Sequence, residues 1–209
     1  GDFVAIIVVK QLFGGIGMNF ANPALVGRIV LFVSFAGAMN NWVFPDAAVD
    51  QLSSATPLAV ADPNKLSLLD LFMGVHGGVL GETCALAIVL GLIYLVATKT
   101  ISIAIPAAYV GSMFVFYLIA THSVHAALVA VLSGGLLFGA VFMATDPVTG
   151  SQTNTGKWIY GFLIGALAVL IRVVNPGYPE GMMLSILFMN AVAPLIDYCV
   201  VPVSYTHLR

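Results

Sequence analysis

Residues 103–120, IAIPAAYVGSMFVFYLIA, decide the class of this protein. The stretch contains no charged side chain, and it is long enough to cross the hydrocarbon core of a bilayer as one helix. A strand of a membrane β-barrel would instead alternate between polar and apolar residues. Comparable apolar runs cover residues 83–97, 127–143, 158–174 and 181–201. The sequence therefore predicts an all-α, polytopic membrane protein.

The composition of the whole chain agrees with this class. Hydrophobic residues make up 60% and charged residues 8% of the 209 residues, and the mean hydropathy is +1.05. Soluble domains are far more polar and carry about three times as many charges. The formal net charge of -2 also leaves the chain without the basic surface that nucleic-acid binding needs. We therefore expect a lipid membrane around the protein and no nucleic-acid partner.

Two segments interrupt the apolar pattern. The first, residues 11–28 (QLFGGIGMNFANPALVGR), is rich in glycine and asparagine. The second is the apolar segment 66–75, which is too short to span the membrane and is followed by the glycine-rich sequence HGGVLGE at residues 76–82. Backbone outside a regular helix is tolerated at membrane depth only where it is buried in protein or lines a cavity. We therefore predict a membrane helical bundle with broken or re-entrant helices.

The first of these segments suggests a binding site. Asn19, Asn22 and Arg28 lie where half-helix ends would expose N–H groups and carbonyls, so they are candidates for contact with a polar ligand or a cation. A purely structural break, with Arg28 extending to the membrane surface, explains the same residues equally well.

The distribution of lysine and arginine predicts the orientation. Basic loops remain on the cytoplasmic side of the membrane. Threading the spans alternately across the membrane places the basic residues in two groups, one on each side. The first group is Lys10, Arg28, Lys99, Lys157 and Arg209, and the second is Lys65 and Arg172. The side of the first group is predicted to be cytoplasmic. The loop with Thr56 then faces outward, to the periplasm of a Gram-negative cell, and we predict a multi-pass protein of the inner membrane.

The polar stretch VDQLSSATPLAV, residues 49–60, lies between two apolar segments. Asp50, Ser53, Ala55 and Thr56 fit the pattern Asp-x-x-Ser/Thr-Gly-Ala-Thr, which a periplasmic flavin transferase reads before attaching FMN to the final threonine. Ser54 departs from the pattern, in which glycine is usual. An ordinary serine- and threonine-rich turn explains the stretch as well, and from spacing alone we favour that turn.

Three acidic residues lie in or near the predicted spans. Glu82 begins a span on the outer side, Asp146 ends one on the inner side, and Asp197 lies within the last one. Acidic groups at membrane depth are costly and therefore candidates for function, and carboxylate oxygens suit a hard cation such as Na⁺. We predict these three residues as candidate ligands on a cation path. Asp146 precedes a proline, however, and Asp-Pro is also a common helix boundary.

Aromatic and histidine side chains have simpler explanations. Trp158 and Tyr160, at the start of a span, fit an interfacial anchor as well as a position on an electron route. His122 and His125 could share a metal ion if they were helical, but a third ligand is not evident. We expect both histidines to be polar surface residues.

Three longer stretches resemble one protein family. They are GGIGMNFANPALVGR (residues 14–28), FMATDPVTGSQTNTGKWIYGFLIG (142–165) and IRVVNPGYPEGMMLSILFMNAVAPLID (171–197). They are similar to the B subunit of the Na⁺-translocating NADH:quinone oxidoreductases and, more loosely, to the D subunit of the ferredoxin:NAD oxidoreductases. The stretch TNTGKWIYG, residues 153–161, resembles the NADH:quinone member. The resemblance extends from residue 1 to about residue 201.

This resemblance implies a function. It implies FMN attached covalently to Thr56, a noncovalent riboflavin in the membrane part, and electron transfer toward ubiquinone coupled to Na⁺ export. With this resemblance, the asparagine and arginine candidates become a candidate flavin or ion site, and the three acidic candidates become candidate ligands on a sodium path. The expected partners are the other subunits of the complex, the periplasmic flavin transferase and ubiquinone. No glycine-rich dinucleotide fingerprint follows a strand in the sequence, so NADH would be oxidised on a partner subunit.

The resemblance also bears on domain organisation and on rival functions. Family members are longer, so we expect residues 1–201 to be a transmembrane flavin-carrying domain whose amino-terminal half is missing. Residues 202–209, which end in SYTHLR, depart from the family and are expected to be a non-native tail. Two alternatives remain open: a subunit of the ferredoxin:NAD oxidoreductase, and a channel-like facilitator for a small polar solute.

Overall fold

A computed structural model of the chain describes residues 1–39, 66–76, 81–175 and 181–201. Within these ranges all regular structure is helical, which confirms the all-α class. A π-helix, Val4–Gln11, comes first, and a second π-helix, Gly139–Met143, directly follows α7. The α-helices are α1 (Pro23–Ser34), α2 (Ala36–Met39), α3 (Leu68–Met73), α4 (Ala85–Ala97), α5 (Ala104–Thr121), α6 (Val124–Leu132), α7 (Leu136–Phe138), α8 (Asn154–Val174) and α9 (Met182–Val200).

Three of the described helices are long and apolar enough to cross a membrane. They are α5, α8 and α9, with 18, 21 and 19 residues. The predicted spans at 103–120, 158–174 and 181–201 are thereby confirmed, and the chain is a multi-pass membrane protein. The helix predicted at 83–97 is present as α4, but its 13 residues are fewer than a straight crossing needs. Residues 66–75 contain only the short α3, as predicted.

Helix α8 begins four residues earlier than the apolar pattern indicates. The Thr153 hydroxyl accepts a hydrogen bond from the backbone N–H of Gly156 at 3.1 Å, so Thr153 is the N-cap. A threonine in this position satisfies one of the free amides of the first turn. Polar residues at 154–157 therefore belong to the helix, although they lie outside its apolar stretch.

The continuous span predicted at 127–143 is wrong. Helix α6 ends at Leu132, the chain resumes as the helical segment Leu136–Met143, and the two parts meet at 64°. The break consists of Ser133, Gly134 and Gly135, and Gly134 has a φ of +67°. This left-handed conformation carries little cost only for glycine, which explains why the bend occurs here. We call residues 124–143 the bent span.

Helices α5 and α8 form the closest packing in the fold. A Cβ on Gly161 would lie 2.6 Å from the Ile105 carbonyl oxygen, and one on Gly165 would lie 2.6 Å from that of Tyr109. Since Gly161 faces the start of α5 and Gly165 its next turn, the two helices run parallel. Small residues four apart allow backbones to approach in this way inside membranes.

The core lies where α5, α8 and α9 meet the bent span. Methionines and tyrosines contributed by facing helices dominate it, so flexible thioethers fill the space between rigid rings. Its largest fully buried side chains come from all of these elements and from α1: Leu25, Tyr109, Met113, Leu136, Tyr160, Ile164, Met182, Met183, Ile186 and Met189.

The segment before α1 is irregular, as predicted. Gly14, Gly15 and Gly17 have φ values of +114°, +90° and +85°, which no regular helix accommodates. Asn22 ends the break as the N-cap of α1, and Pro23 occupies the first helical position, where its missing N–H is no loss. The predicted broken helix is therefore confirmed at this position.

Candidate functional site

The residues of the flavin-attachment motif, Asp50, Ser53, Ala55 and Thr56, lie outside the described residues. The structure does describe the chain on both sides of them. Helix α2 ends at Met39, and the chain is described again from Leu66, whose carbonyl oxygen lies 3.1 Å from His125 Nε2. Leu66 is thus held against the first turn of α6.

His122 is exposed, as predicted for a polar surface residue, whereas His125 is only partly exposed. His125 is partly buried and hydrogen-bonded to Leu66, so it is not a free surface residue. His122 is the left-handed C-cap of α5. Among the described residues no group of three histidine, cysteine, aspartate or glutamate side chains could hold a metal ion. A histidine-based metal site is therefore not supported in this part of the chain.

Asn19 and Asn22 are buried and already engaged. Asn22 Oδ1 accepts hydrogen bonds from the N–H groups of Ala24 and Leu25 at 3.0 and 3.3 Å, and its Nδ2 donates to the Met143 carbonyl at 3.3 Å. Asn19 Nδ2 donates to the Ala21 carbonyl at 3.1 Å. These bonds shape the break and connect it to the end of the bent span.

A buried polar network extends from this break into the bundle. The Tyr160 hydroxyl lies 2.7 Å from the Asn190 amide. In the amide orientation that gives every donor an acceptor, Asn190 Oδ1 accepts from the Asn22 N–H at 3.0 Å and Nδ2 donates to the Ile186 carbonyl at 3.2 Å. The network joins α1, α8 and α9.

The interpretation of Tyr160 as an interfacial anchor is therefore wrong. Its side chain is completely buried, because its hydroxyl finds a partner inside the protein. The sequence contains a weak sign of this arrangement. Asn190 is a polar residue in the middle of an apolar helix, and such a residue needs an internal hydrogen-bond partner.

Arg28 and Glu82 form an ion pair, which contradicts their predicted placement at opposite sides of the membrane. Their side chains are only 16% and 6% exposed. Arg28 is thus directed toward Glu82 and largely shielded from solvent. Because each charge is shielded from solvent, loss of either one would leave an uncompensated buried charge.

Arg172, which alternate threading of the spans predicts on the outer side, is a buried cation. It lies in the last turn of α8, is 9% exposed, and donates hydrogen bonds to the carbonyls of Ala130 and Ser133 at 2.5 and 3.4 Å. These carbonyls belong to the end of α6 and to the break. Arg172 is therefore part of the interior around the bent span.

Asp197 serves as an acceptor for the loop before α8. Its carboxylate accepts hydrogen bonds from the Ser151 and Thr153 hydroxyls at 2.6 and 2.7 Å. It also accepts from the backbone N–H groups of Gln152 and Thr153 at 2.8 and 3.1 Å. Asp197 lies in the last turn of α9, nearer the helix end than its predicted position within the span, and connects α9 to the N-terminus of α8.

These bonds lead to a prediction for Asp197→Ala. Loss of the carboxylate leaves four donors without their acceptor, and we expect the free energy of unfolding to fall by about 1–2 kcal/mol, since water can replace part of the lost bonding. The thermal unfolding midpoint of the purified complex should fall equally in Na⁺ and in choline. Asp70→Ala, on the exposed side of α3, should leave it unchanged. A loss confined to Na⁺ buffer would instead identify Asp197 as a sodium ligand.

Asp146 lies in the same loop region. Its carboxylate accepts hydrogen bonds from the Thr149 hydroxyl at 2.9 Å and from the Val148 N–H at 3.2 Å. Asp146 and Asp197 therefore flank one loop, residues 145–153, whereas Glu82 is separate from them and paired with Arg28. Asp146 also lines a polar cavity of about 90 Å³ together with Thr100, Ser102, Thr145, Gln152 and Lys157.

Comparison with known proteins gives the family. The sequence model of the NQR2, RnfD, RnfE family matches residues 1–206. The chain belongs to this family. A relative from Azotobacter vinelandii, named as the B subunit of a Na(+)-translocating NADH-quinone reductase, is 43% identical over 96% of this chain and 54% of its own length.

Two further relatives carry the same name. The protein from Ectopseudomonas mendocina is 43% identical over 96% of this chain and 54% of its own length. The protein from Haemophilus influenzae is 41% identical over 100% of this chain and 56% of its own length. The chain thus spans about half the length of the relatives it matches. The family resemblance drawn from the sequence is confirmed.

Proposed function

We propose that this chain is part of the flavin-carrying membrane subunit of a sodium-translocating NADH:quinone oxidoreductase. The observation that supports this most is the 43% identity to proteins of that name over 96% of the chain. The same identity favours the NADH:quinone complex over the related ferredoxin:NAD complex. A channel-like facilitator would not need the flavin-attachment motif, so we rank that alternative lower.

The covalent flavin belongs to Thr56 in this proposal. The threonine hydroxyl forms a phosphoester with the FMN phosphate, so the protein gains the mass of FMN less one water. FMN supplies the redox chemistry once it is attached. The loop would lie on the periplasmic side of the inner membrane, where a flavin transferase can reach it, and the His125 contact at Leu66 would fix its return to the bundle.

A noncovalent riboflavin would fit the exposed surface of the irregular segment before α1. The Asn22 side chain is fully used in capping α1 and binding Met143, so it has little left for a ligand. Phe13 and Phe20, in contrast, are 53% and 57% exposed with ring centroids 4.8 Å apart. Exposed rings beside irregular backbone offer a surface on which a flat aromatic ring system can stack.

The proposed function is tested by mass spectrometry. The full-length protein, co-expressed with a flavin transferase, is purified and analysed both intact and as peptides. We expect an adduct of FMN minus water on the peptide that contains Thr56. If the transferase modifies a control substrate but this protein carries no adduct, the assignment of covalent FMN is wrong.

Of the three acidic candidates, we favour Asp146 as the sodium ligand. It lines a polar cavity together with Thr100, Ser102 and Thr145, and hydroxyl oxygens are hard ligands suited to Na⁺. Asp197, which accepts four hydrogen bonds, would act mainly by holding the adjacent loop.

We therefore predict an effect of Asp146→Asn on sodium dependence. The Na⁺ concentration that gives half-maximal NADH:quinone activity should rise by about tenfold, because a carboxylate contributes charge as well as an oxygen ligand. Asp70→Asn provides the matched control and should leave this concentration unchanged. An unaltered value in Asp146→Asn would exclude Asp146 from the sodium path.

A further inference from the structure

The break in the bent span leaves two helix ends inside the protein. At the end of α6 the last carbonyls have no partners within the helix, and at the start of α7 the first amides are in the same position. Ser133, at the break, is completely buried. Away from water such backbone groups need compensating partners. Two charged side chains from other parts of the fold, Arg172 and Glu82, are placed beside them.

Arg172 binds the free carbonyls at the C-terminal end of α6. Its guanidinium donates to the carbonyls of Ala130, in the last turn of α6, and of Ser133, the first residue of the break. A cation at the C-terminal end of a helix is favoured by the helix dipole as well as by these hydrogen bonds. Arg172 therefore fixes the end of α6 to α8.

Glu82 lies on the other side of the break, beside the N-terminal end of α7. A Cβ on Gly135, the residue before α7, would lie 2.9 Å from Glu82 Oε1. The carboxylate thus packs directly against the backbone where α7 begins, and negative charge is favoured at that end. Arg28 of α1 pairs with Glu82 and fixes its position.

Both ends of the bent span are anchored as well. His125, in the first turn of α6, is hydrogen-bonded to the Leu66 carbonyl, and the Met143 carbonyl accepts from Asn22 Nδ2. Because the ends are held, a movement of the span would be concentrated at the break. Gly134, with no side chain, permits a change of backbone angles there.

We propose that the bent span is a hinge held closed by a charge clamp. The clamp consists of Arg172 on the end of α6 and of Glu82, positioned by Arg28, on the start of α7. Neutralising a clamp residue frees the two half-helices to move about Gly134. This inference goes beyond the proposed function, since it requires neither a flavin nor a sodium ion.

A cysteine at position 133 reports on the hinge. The Ser133 hydroxyl is buried and has no hydrogen-bond partner among the described residues, so Ser133→Cys removes no contact there. The reporter is placed in the full-length protein within the assembled complex, with Cys84, Cys199 and any other cysteine of that protein replaced by serine. Labelling by a small maleimide is followed on its band after gel electrophoresis.

Neutralisation of the clamp should expose this reporter. We expect Glu82→Gln and Arg172→Met each to raise the labelling rate by about tenfold or more, because local opening becomes more frequent. Asp70→Asn, an exposed acid on α3, should leave the rate unchanged. If Glu82→Gln labels within about twofold of the parent, the clamp is overturned. If Arg172→Met does not assemble, Glu82→Gln alone decides.

A charge exchange separates the clamp from a simple ion pair. Arg28→Glu combined with Glu82→Arg restores the pair but places a cation against the start of α7. The clamp predicts that labelling of this double variant remains fast. A return to the parental rate would mean that only the ion pair matters, and the hinge proposal would fail.

Discussion

Replacement of Thr56 by alanine is expected to abolish the proposed covalent attachment of flavin completely. The hydroxyl oxygen is the atom that would form the phosphoester, and alanine offers no substitute. In-gel fluorescence of the protein should fall to background, and NADH:quinone activity of the complex should fall with it. Assembly should be maintained, because residue 56 lies in a polar stretch of the sequence and not in an apolar span.

Three further variants make this result specific. Thr56→Ser keeps a hydroxyl and should retain part of the fluorescence. Thr121→Ala, at the end of α5, removes a threonine without touching the motif and should retain all of it. Ser54→Gly restores the usual glycine, and flavin attachment should become faster because glycine relieves a restriction on the backbone. Fluorescence that persists in Thr56→Ala would show that the flavin is attached elsewhere.

The helical framework was predictable from the sequence because it depends on local properties. Apolar length alone predicts α5, α8 and α9, and the run of glycine, asparagine and proline before α1 predicts a break in the same place. The bend at 133–135 was missed for the same reason. The apolar residues on both sides satisfy the length criterion for a single span, although Ser-Gly-Gly in its middle indicates a turn.

The long-range contacts were not predictable by the same means. Counting positive charges assigns Arg28 to the nearest membrane surface, since an isolated arginine avoids the hydrocarbon core. Its pairing with Glu82, far away in the sequence, removes this reason. The same holds for Tyr160, because its burial depends on a hydrogen bond to Asn190 in the next helix. Partners brought together by folding thus override the preferences of single residues.

The contact between α5 and α8 leads to the second large prediction, Gly165→Ala. The added Cβ would lie 2.6 Å from the Tyr109 carbonyl oxygen and 3.0 Å from the Met113 nitrogen. Both are backbone atoms, so the helices must separate. Overpacking of this kind costs about 1–3 kcal/mol or more. We expect a large fall in the yield of assembled complex and in its thermal unfolding midpoint.

Gly111 provides the matched control, because it lies in α5 and a Cβ there would meet nothing within 4 Å. Gly111→Ala should be neutral or slightly stabilising, by up to about 1 kcal/mol, since alanine favours the helix more than glycine does. Gly161→Ala should behave like Gly165→Ala, because its Cβ would lie 2.6 Å from the Ile105 carbonyl oxygen. If Gly165→Ala and Gly111→Ala unfolded at the same temperature, close packing of α5 on α8 could not be what holds the bundle together.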